Sequence, residues 1–235
     1  MNDARSRLIA ALDVPDRAAA LKAVEQLSGR IGYFKIGLEL FTREGPRLVE
    51  EIRDRGEKIF LDLKLHDIPN TVKGAVRSVC RLDVQMLTVH AAGGSDMLAA
   101  ASQEAQASSA PPLILAVTAL TSLSDEDIRK LGVSQPAEQW VERLANLAHS
   151  AGIRGIVASS KELPMLHRRF QNTMQYVIPG IRPAGAATQD QARTATPAEA
   201  IRAGASYIVV GRPILHAADP AATAAAIVQE IKESL

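Results

Sequence analysis

Short apolar runs recur along the chain, and a polar stretch with helical periodicity follows nearly every one of them. The runs are rich in Leu, Ile and Val and seldom alternate with polar residues, which is typical of strands buried on both faces. Several intervening stretches begin near Pro, Ser, Thr or Asp and end near Gly, as helices do. The pattern predicts eight strands: Leu8–Leu12, Tyr33–Ile36, Ile59–Leu63, Gln85–Val89, Leu113–Val117, Gly155–Ala158, Gln175–Ile178 and Tyr207–Val210.

Strands that alternate with helices indicate a parallel sheet, because parallel neighbours need a crossover that is usually a helix. Eight such units in 235 residues match an α/β fold of the (β/α)8 or TIM barrel type. We expect a single catalytic domain over residues 1–235. An open, doubly wound sheet is the alternative fold for the same pattern.

Charge and composition narrow the choice of partners. The formal net charge is +1, which gives no electrostatic reason to expect nucleic acid or a membrane surface. Aromatic residues make up 3% of the chain, too few for platforms that stack bases. No apolar run approaches the ~20 residues of a membrane span, and the first residues lack the apolar core of a signal peptide. These features predict a cytoplasmic protein.

Charged residues occur where the first three strand runs end, which is where a (β/α)8 barrel has its active site. Asp13 follows the first run, Lys35 lies near the end of the second, and Asp62 and Lys64 end the third. Residues two apart on a strand share a face, and neighbouring strands bring Lys35 and Asp13 alongside. We therefore predict a row of alternating charges in the order Asp13, Lys35, Asp62, Lys64.

Neighbouring carboxylates favour the charged form of a lysine. The row is thus expected to hold its lysines as ammonium ions, which donate protons and do not form Schiff bases. A purely structural network of ion pairs is the alternative interpretation of the same four residues.

Two segments late in the chain indicate a phosphorylated substrate. Gly211 and Arg212 follow the eighth strand run, where barrels often bind phosphate through backbone N–H groups. A long polar loop over residues 179–197 carries Arg182 and Gln191, which could fold onto the phosphate. The alternative is that this loop is mobile and has no role in binding.

Motifs for metals and common cofactors are missing from the sequence. His66 and His90 lie near the predicted site, but no further set of His, Asp or Glu accompanies either of them. The glycine-rich signatures of serine hydrolases, P-loop proteins and dinucleotide-binding proteins do not occur. We therefore predict neither a metal nor an organic cofactor.

The stretch DLKLHDIPNT, residues 62–71, resembles the signature of the orotidine 5'-phosphate decarboxylase family. Shorter matches run in order through nearly the whole chain: ALDV at 11–14, FKIGLELF at 34–41, VHAAGG at 89–94, AVTALTS at 116–122, PGIRP at 179–183 and VVGRP at 209–213. The resemblance implies a homodimeric carboxy-lyase that converts orotidine 5'-monophosphate (OMP) to uridine 5'-monophosphate (UMP). This is the last step of de novo pyrimidine biosynthesis, and the family performs it without a metal or organic cofactor.

The resemblance also implies roles for the residues that match the motifs. Lys64 would donate the proton, and Asp62, Asp67 and Lys35 would complete the charged network around it. Asp67 would also reach into the site of the partner subunit, together with Thr71.

Substrate-binding residues follow from the same resemblance. Besides Asp62, they are Asp13 and Lys35 at the ribose hydroxyls, Thr121 and Ser122 at the pyrimidine edge, Thr71 from the partner, and Arg182, Gln191, Gly211 and Arg212 at the phosphate.

Two rival functions remain open. The 3-keto-hexulose-phosphate synthases share the Asp-x-Lys-x-x-Asp pattern but use magnesium, and would be expected to carry an acidic ligand near the position of Lys35. A barrel that binds a phosphorylated ligand without turnover is the other rival, and it would be expected to break the row of four charges.

Overall fold

The computed structural model describes residues 3–183 and 194–235 of the chain. Eight parallel strands form its centre, and they are β1 Leu8–Ala11, β2 Tyr33–Gly37, β3 Ile59–Leu65, β4 Met86–His90, β5 Leu113–Val117, β6 Gly155–Val157, β7 Gln175–Ile178 and β8 Tyr207–Val210. Each strand pairs with the next, and β1 pairs with β8 through Leu8↔Ile208 and Ala10↔Val210, so the sheet closes into a barrel. The predicted (β/α)8 fold is confirmed, and the open sheet is excluded.

Helices connect successive strands on the outside of the barrel. The described α-helices are α1 Arg17–Leu27, α2 Leu38–Glu44, α3 Pro46–Asp54, α4 Pro69–Cys80, α5 Gly94–Gln106, α6 Asp125–Lys130, α7 Ala137–Ser150, α8 Leu163–Phe170, α9 Pro197–Arg202, α10 Arg212–Leu215 and α11 Pro220–Lys232. Pro stands in the first turn of α3, α4, α8, α9, α10 and α11, where its missing N–H has no helical partner to lose. In the described residues, no helix has the length and apolarity that crossing a membrane requires.

Apolar side chains pack in two separate layers because successive residues of a strand point to opposite faces. Ile59 and Leu61 of β3 point outward and join the large core between the barrel and its helices. Phe60, between them, points inward and packs with a small interior core. The other buried members of that interior core are Ile9, Ala11, Met86, Leu115, Val177 and Val209.

Candidate active site

The inward-facing positions of the strands lead directly from the interior core to a cluster of polar side chains. Four polar residues each lie two positions after a residue of the interior core: Lys35 after Tyr33, Asp62 after Phe60, Thr88 after Met86 and Asp13 after Ala11. The alternation of the strands therefore carries these side chains to the carboxyl-terminal mouth of the barrel.

The structure brings the four charges together in the order that the sequence predicts. Lys35 Nζ lies 3.1 Å from Asp13 Oδ1 and 3.7 Å from Asp62 Oδ2, and Lys64 Nζ lies 2.8 Å from Asp62 Oδ1. The side chain of Asp62 is 14% exposed and that of Lys64 is 32% exposed. The largely buried Asp62 carboxylate thus faces one ammonium group with each of its oxygens.

The backbone from Asp62 to Lys64 departs from regular β-strand geometry. The pairing of β3 with β4 runs through Leu61↔Leu87 and resumes at Leu65↔Val89, so three residues of β3 lie opposite the single residue Thr88. Lys64 itself has a φ of 49°, which is left-handed backbone that residues other than glycine rarely adopt. The expected regular strand through Lys64 is therefore replaced by a bulge, a device that re-aims side chains near active sites.

Two glycines leave space beside the charges. A Cβ atom at Gly37 would lie 3.0 Å from Lys35 Nζ, and one at Gly211 would lie 3.3 Å from Asp13 Oδ2. A Cβ atom at either position would therefore require the neighbouring charged group to shift by a few tenths of an ångström.

A cavity of about 160 Å³ opens beside the row of charges. Three charged side chains line it, those of Lys35, Asp62 and Lys64, together with Thr121 and Pro179. The apolar lining includes Phe60, Val117, Val157, Val177 and Val209. The cavity therefore combines an apolar lining with the ammonium groups of two lysines.

Two histidines stack next to Lys64. The rings of His66 and His90 have centroids 5.2 Å apart and an angle of 17° between their planes. Nδ1 of His90 accepts the backbone N–H of Ala92 at 3.3 Å, which favours a neutral imidazole. Burial lowers the pKa of His90, and the charges of His66 and Lys64 lower it further.

The residues predicted for the phosphate occupy several places around the mouth. Gly211 directly precedes α10, and Arg212 is its first residue and is half-buried. Arg182 is buried, its backbone N–H donates to Ala195 O at 2.9 Å, and its guanidinium donates to Ile181 O at 3.0 Å. Gln191 lies outside the described residues, as does the middle of the predicted loop, 184–193.

Three further predicted residues do not line the cavity in this chain. Ser122 is exposed in the segment after β5. Asp67 and Thr71 are exposed at the start of α4, and Asp67 Oδ1 accepts the backbone N–H of Ile68 at 2.6 Å. Among the described residues of this single subunit, no salt bridge joins Asp67 to Lys64. The expected contribution of Asp67 to the partner subunit's site stays a prediction.

Thr88 is the site residue that sequence reasoning missed. Its hydroxyl donates to Asp62 Oδ1 at 2.9 Å and accepts the backbone N–H of Lys64 at 2.8 Å, and the residue is fully buried. A threonine inside an apolar strand run is ordinarily a β-branched core residue, and only its position two residues beyond Met86 could have indicated an inward-facing hydroxyl.

Metal ligands do not come together among the residues that the structure describes. No group of three or more His, Cys, Asp or Glu side chains in residues 3–183 and 194–235 is placed to hold a metal ion. The absence of a cofactor stays a prediction.

Comparison with known proteins gives a consistent assignment. The family described as "Orotidine 5'-phosphate decarboxylase / HUMPS family" matches residues 6–227. The chain is 51% identical to the orotidine 5'-phosphate decarboxylase of Moorella thermoacetica over 97% of this chain and 93% of that protein. It is 48% identical to that of Syntrophotalea carbinolica over 99% of this chain and 98% of that protein.

A solved structure supports the same relationship. The crystal structure of orotidine 5'-phosphate decarboxylase from Lactobacillus acidophilus matches with a TM-score of 0.86 and 38% sequence identity, over 95% of this chain and 98% of that one. Together with the barrel and its row of charges, these matches show that the chain belongs to the orotidine 5'-phosphate decarboxylase / HUMPS family.

Proposed function

We propose that this chain decarboxylates OMP to UMP in pyrimidine biosynthesis. The observation that carries the proposal is the row of alternating charges at the barrel mouth, where the Lys64 ammonium borders the cavity and contacts Asp62 at 2.8 Å. The relatives from Moorella thermoacetica and Syntrophotalea carbinolica, named orotidine 5'-phosphate decarboxylases, match almost over their full length.

The difficulty of this reaction is the electron pair that CO2 leaves behind. Breaking the bond between C6 and the carboxylate leaves that pair on C6, in the plane of the pyrimidine ring, where no π system accepts it. Decarboxylases commonly rely on a cofactor as an electron sink. A fixed positive charge beside C6 can take over this role, because an ammonium in a dry cavity stabilises a carbanion without reorganising solvent.

Lys64 is the group to which we assign both steps of the chemistry. Its ammonium stabilises the carbanion as CO2 departs and then transfers one proton to C6, which completes UMP. Lys64 is left as a neutral amine and regains a proton from solvent before the next turnover.

Asp62 and Lys35 keep this ammonium in place. Asp62 accepts from Lys64 through Oδ1 and faces Lys35 through Oδ2, and Asp13 balances the second lysine. The row holds two carboxylates and two ammonium groups, so its charges offset one another. For that reason we assign more of the rate enhancement to carbanion stabilisation than to repulsion of the substrate carboxylate.

The remaining residues are proposed to hold the non-reacting parts of the substrate. Asp13 and Lys35 would contact the ribose hydroxyls, and Thr121 and Ser122 would contact the pyrimidine edge. The phosphate would be bound by Gly211 and Arg212, with Arg182 and Gln191 contributing from the preceding loop. Binding energy from the phosphate can then be used to organise the charges around C6.

We also propose a homodimer in which Asp67 and Thr71 complete the site of the partner subunit. Both residues are exposed at the start of α4, and Ile68 between them is 67% exposed. Their exposure leaves both polar side chains accessible to a second subunit.

The proposed activity is tested by mixing the purified chain with OMP and following the loss of its ultraviolet absorbance together with the release of CO2. We expect turnover that continues after treatment with EDTA. Binding of OMP without CO2 release would instead favour a ligand-binding barrel. Activity that EDTA abolishes and Mg²⁺ restores would favour the magnesium-dependent chemistry of the synthases.

A further inference from the structure

Thr88 connects the two residues on which the proposed chemistry depends most. Its hydroxyl donates to Asp62 Oδ1 at 2.9 Å, and the same oxygen of Asp62 contacts Lys64 Nζ at 2.8 Å. The Thr88 hydroxyl also accepts the backbone N–H of Lys64 at 2.8 Å. Lys64 is thereby held at both ends, with its backbone bound to Thr88 and its ammonium bound to a carboxylate that Thr88 also holds.

The buried position of Thr88 makes these bonds obligatory. Thr88 is 0% exposed, and a buried hydroxyl without partners is costly. A hydroxyl has one donor and two lone pairs, so it can donate to Asp62 and accept from Lys64 at the same time. A backbone N–H could not replace this hydroxyl, because it donates a hydrogen bond but does not accept one. A carboxylate could not replace it either, because it accepts hydrogen bonds but does not donate them.

The backbone of Lys64 needs such a restraint. Its φ of 49° is unfavourable for a residue with a Cβ atom, and it occurs within the bulge that places residues 62–64 opposite Thr88 alone. The usual ladder of β3 is interrupted there, so the N–H of Lys64 bonds to the Thr88 side chain. The hydroxyl therefore stabilises the irregular backbone that aims the lysine.

We propose that Thr88 is a positioning residue for the decarboxylation, acting through Asp62 and the backbone of Lys64 without touching the substrate. The expected effect of Thr88 on turnover rests on the proposed function. The positioning of Asp62 and Lys64 by one hydroxyl does not, and it applies to whatever reaction the site performs.

A set of three variants separates the hydroxyl from the shape of the side chain. Thr88→Val keeps the β-branched shape but removes both hydrogen bonds, whereas Thr88→Ser keeps the hydroxyl. Thr118→Val is the matched control, because Thr118 is also fully buried and, among the described residues, its hydroxyl donates to the Val157 carbonyl, at 3.2 Å. All three are first compared with the wild type by thermal unfolding.

We expect Thr88→Val to lower kcat for OMP by roughly 10- to 100-fold, the effect of a small misplacement of a reacting group. The KM and the affinity for UMP should change by less than about threefold, because the residue touches no substrate. Thr88→Ser should restore most of kcat, and Thr118→Val should leave it within about threefold of wild type. Equal kcat losses in Thr88→Val and Thr118→Val would overturn the proposal.

Hydrogen exchange at the Lys64 amide gives a readout that does not depend on activity. Without its acceptor, this amide should exchange at least about tenfold faster in Thr88→Val than in the wild type, Thr88→Ser or Thr118→Val. Faster exchange in a chain that lacks decarboxylase activity would support the positioning role while refuting the proposed function. Unchanged exchange in Thr88→Val would refute the positioning role, whatever the activity.

Discussion

The contact between Asp62 and Lys64 can be measured as a coupling energy in a double-mutant cycle. The proposed variants are Asp62→Asn and Lys64→Met, singly and together, because each removes a charge and keeps most of the side-chain volume. The chain provides its own control in Glu126 and Lys130 of α6, whose charged atoms are also 2.8 Å apart but whose side chains are about two-thirds exposed. The Asp62–Lys64 and Glu126–Lys130 pairs therefore have the same distance between charged atoms and differ in how far their side chains are buried.

The expected magnitude follows from the distance and the surroundings. At an effective dielectric constant of about 20, charges 2.8 Å apart attract by about 6 kcal/mol. Desolvation of the Asp62 carboxylate and the partial exposure of Lys64 offset much of this attraction, and Lys35 competes for the same carboxylate. We expect a net coupling of about 1–3 kcal/mol for the site pair. The exposed helical pair should give only about 0.3–0.5 kcal/mol.

The assay is urea unfolding of the two sets of variants at neutral pH, with the m-values compared to check that each variant unfolds in the same manner. The coupling of the exposed pair should also fall as salt is added, whereas that of the site pair should persist. If Asp62 and Lys64 couple no more strongly than Glu126 and Lys130, then the carboxylate does not fix the ammonium as we argue.

Two further predictions concern the neighbours of this pair. Gly37→Ala should lower kcat/KM for OMP by roughly three- to tenfold with little loss of stability, because its Cβ would lie 3.0 Å from Lys35 Nζ and the ammonium would have to shift by a few tenths of an ångström. Wild-type kinetics in this variant would show that the site tolerates this shift of Lys35. The folded state lowers the pKa of His90 through burial, so protonation favours unfolding and stability should decline as pH falls below about 6.5. Thermal unfolding of His90→Gln should show a shallower decline over this range, and an identical decline would exclude His90 as its source.

Much of the barrel is predictable from the sequence because its physical cause is local. Strands buried on both faces appear as short apolar runs, and β5, β7 and β8 begin and end where the runs do. The helices α2, α6, α8 and α10 are only four to eight residues long, too short to show a helical period over more than about two turns. They depend on packing against the barrel more than on a pattern of their own.

The row of charges was also predictable, since the alternation of strands and the edge at which they end decide which side chains meet. The bulge before Leu65 was not, because a left-handed backbone at a lysine leaves no mark in the residue types. For the same reason the role of Thr88 became visible only through its two hydrogen bonds. The position of Asp67, exposed and turned to its own helix start, likewise depends on the path of the chain after β3.

Replacement of Lys64 by alanine is the decisive test of the role proposed for its ammonium group, with OMP turnover and UMP affinity measured on the same protein. We expect kcat to fall by roughly 10⁴-fold or more, since both the charge beside C6 and the proton are lost, while UMP still binds within about tenfold of the wild-type affinity. Lys130→Ala, which removes an exposed ammonium paired with Glu126 on α6, should leave both values unchanged. If a Lys64→Ala variant binds UMP and decarboxylates OMP within tenfold of the wild-type rate, Lys64 neither stabilises the carbanion nor donates the proton.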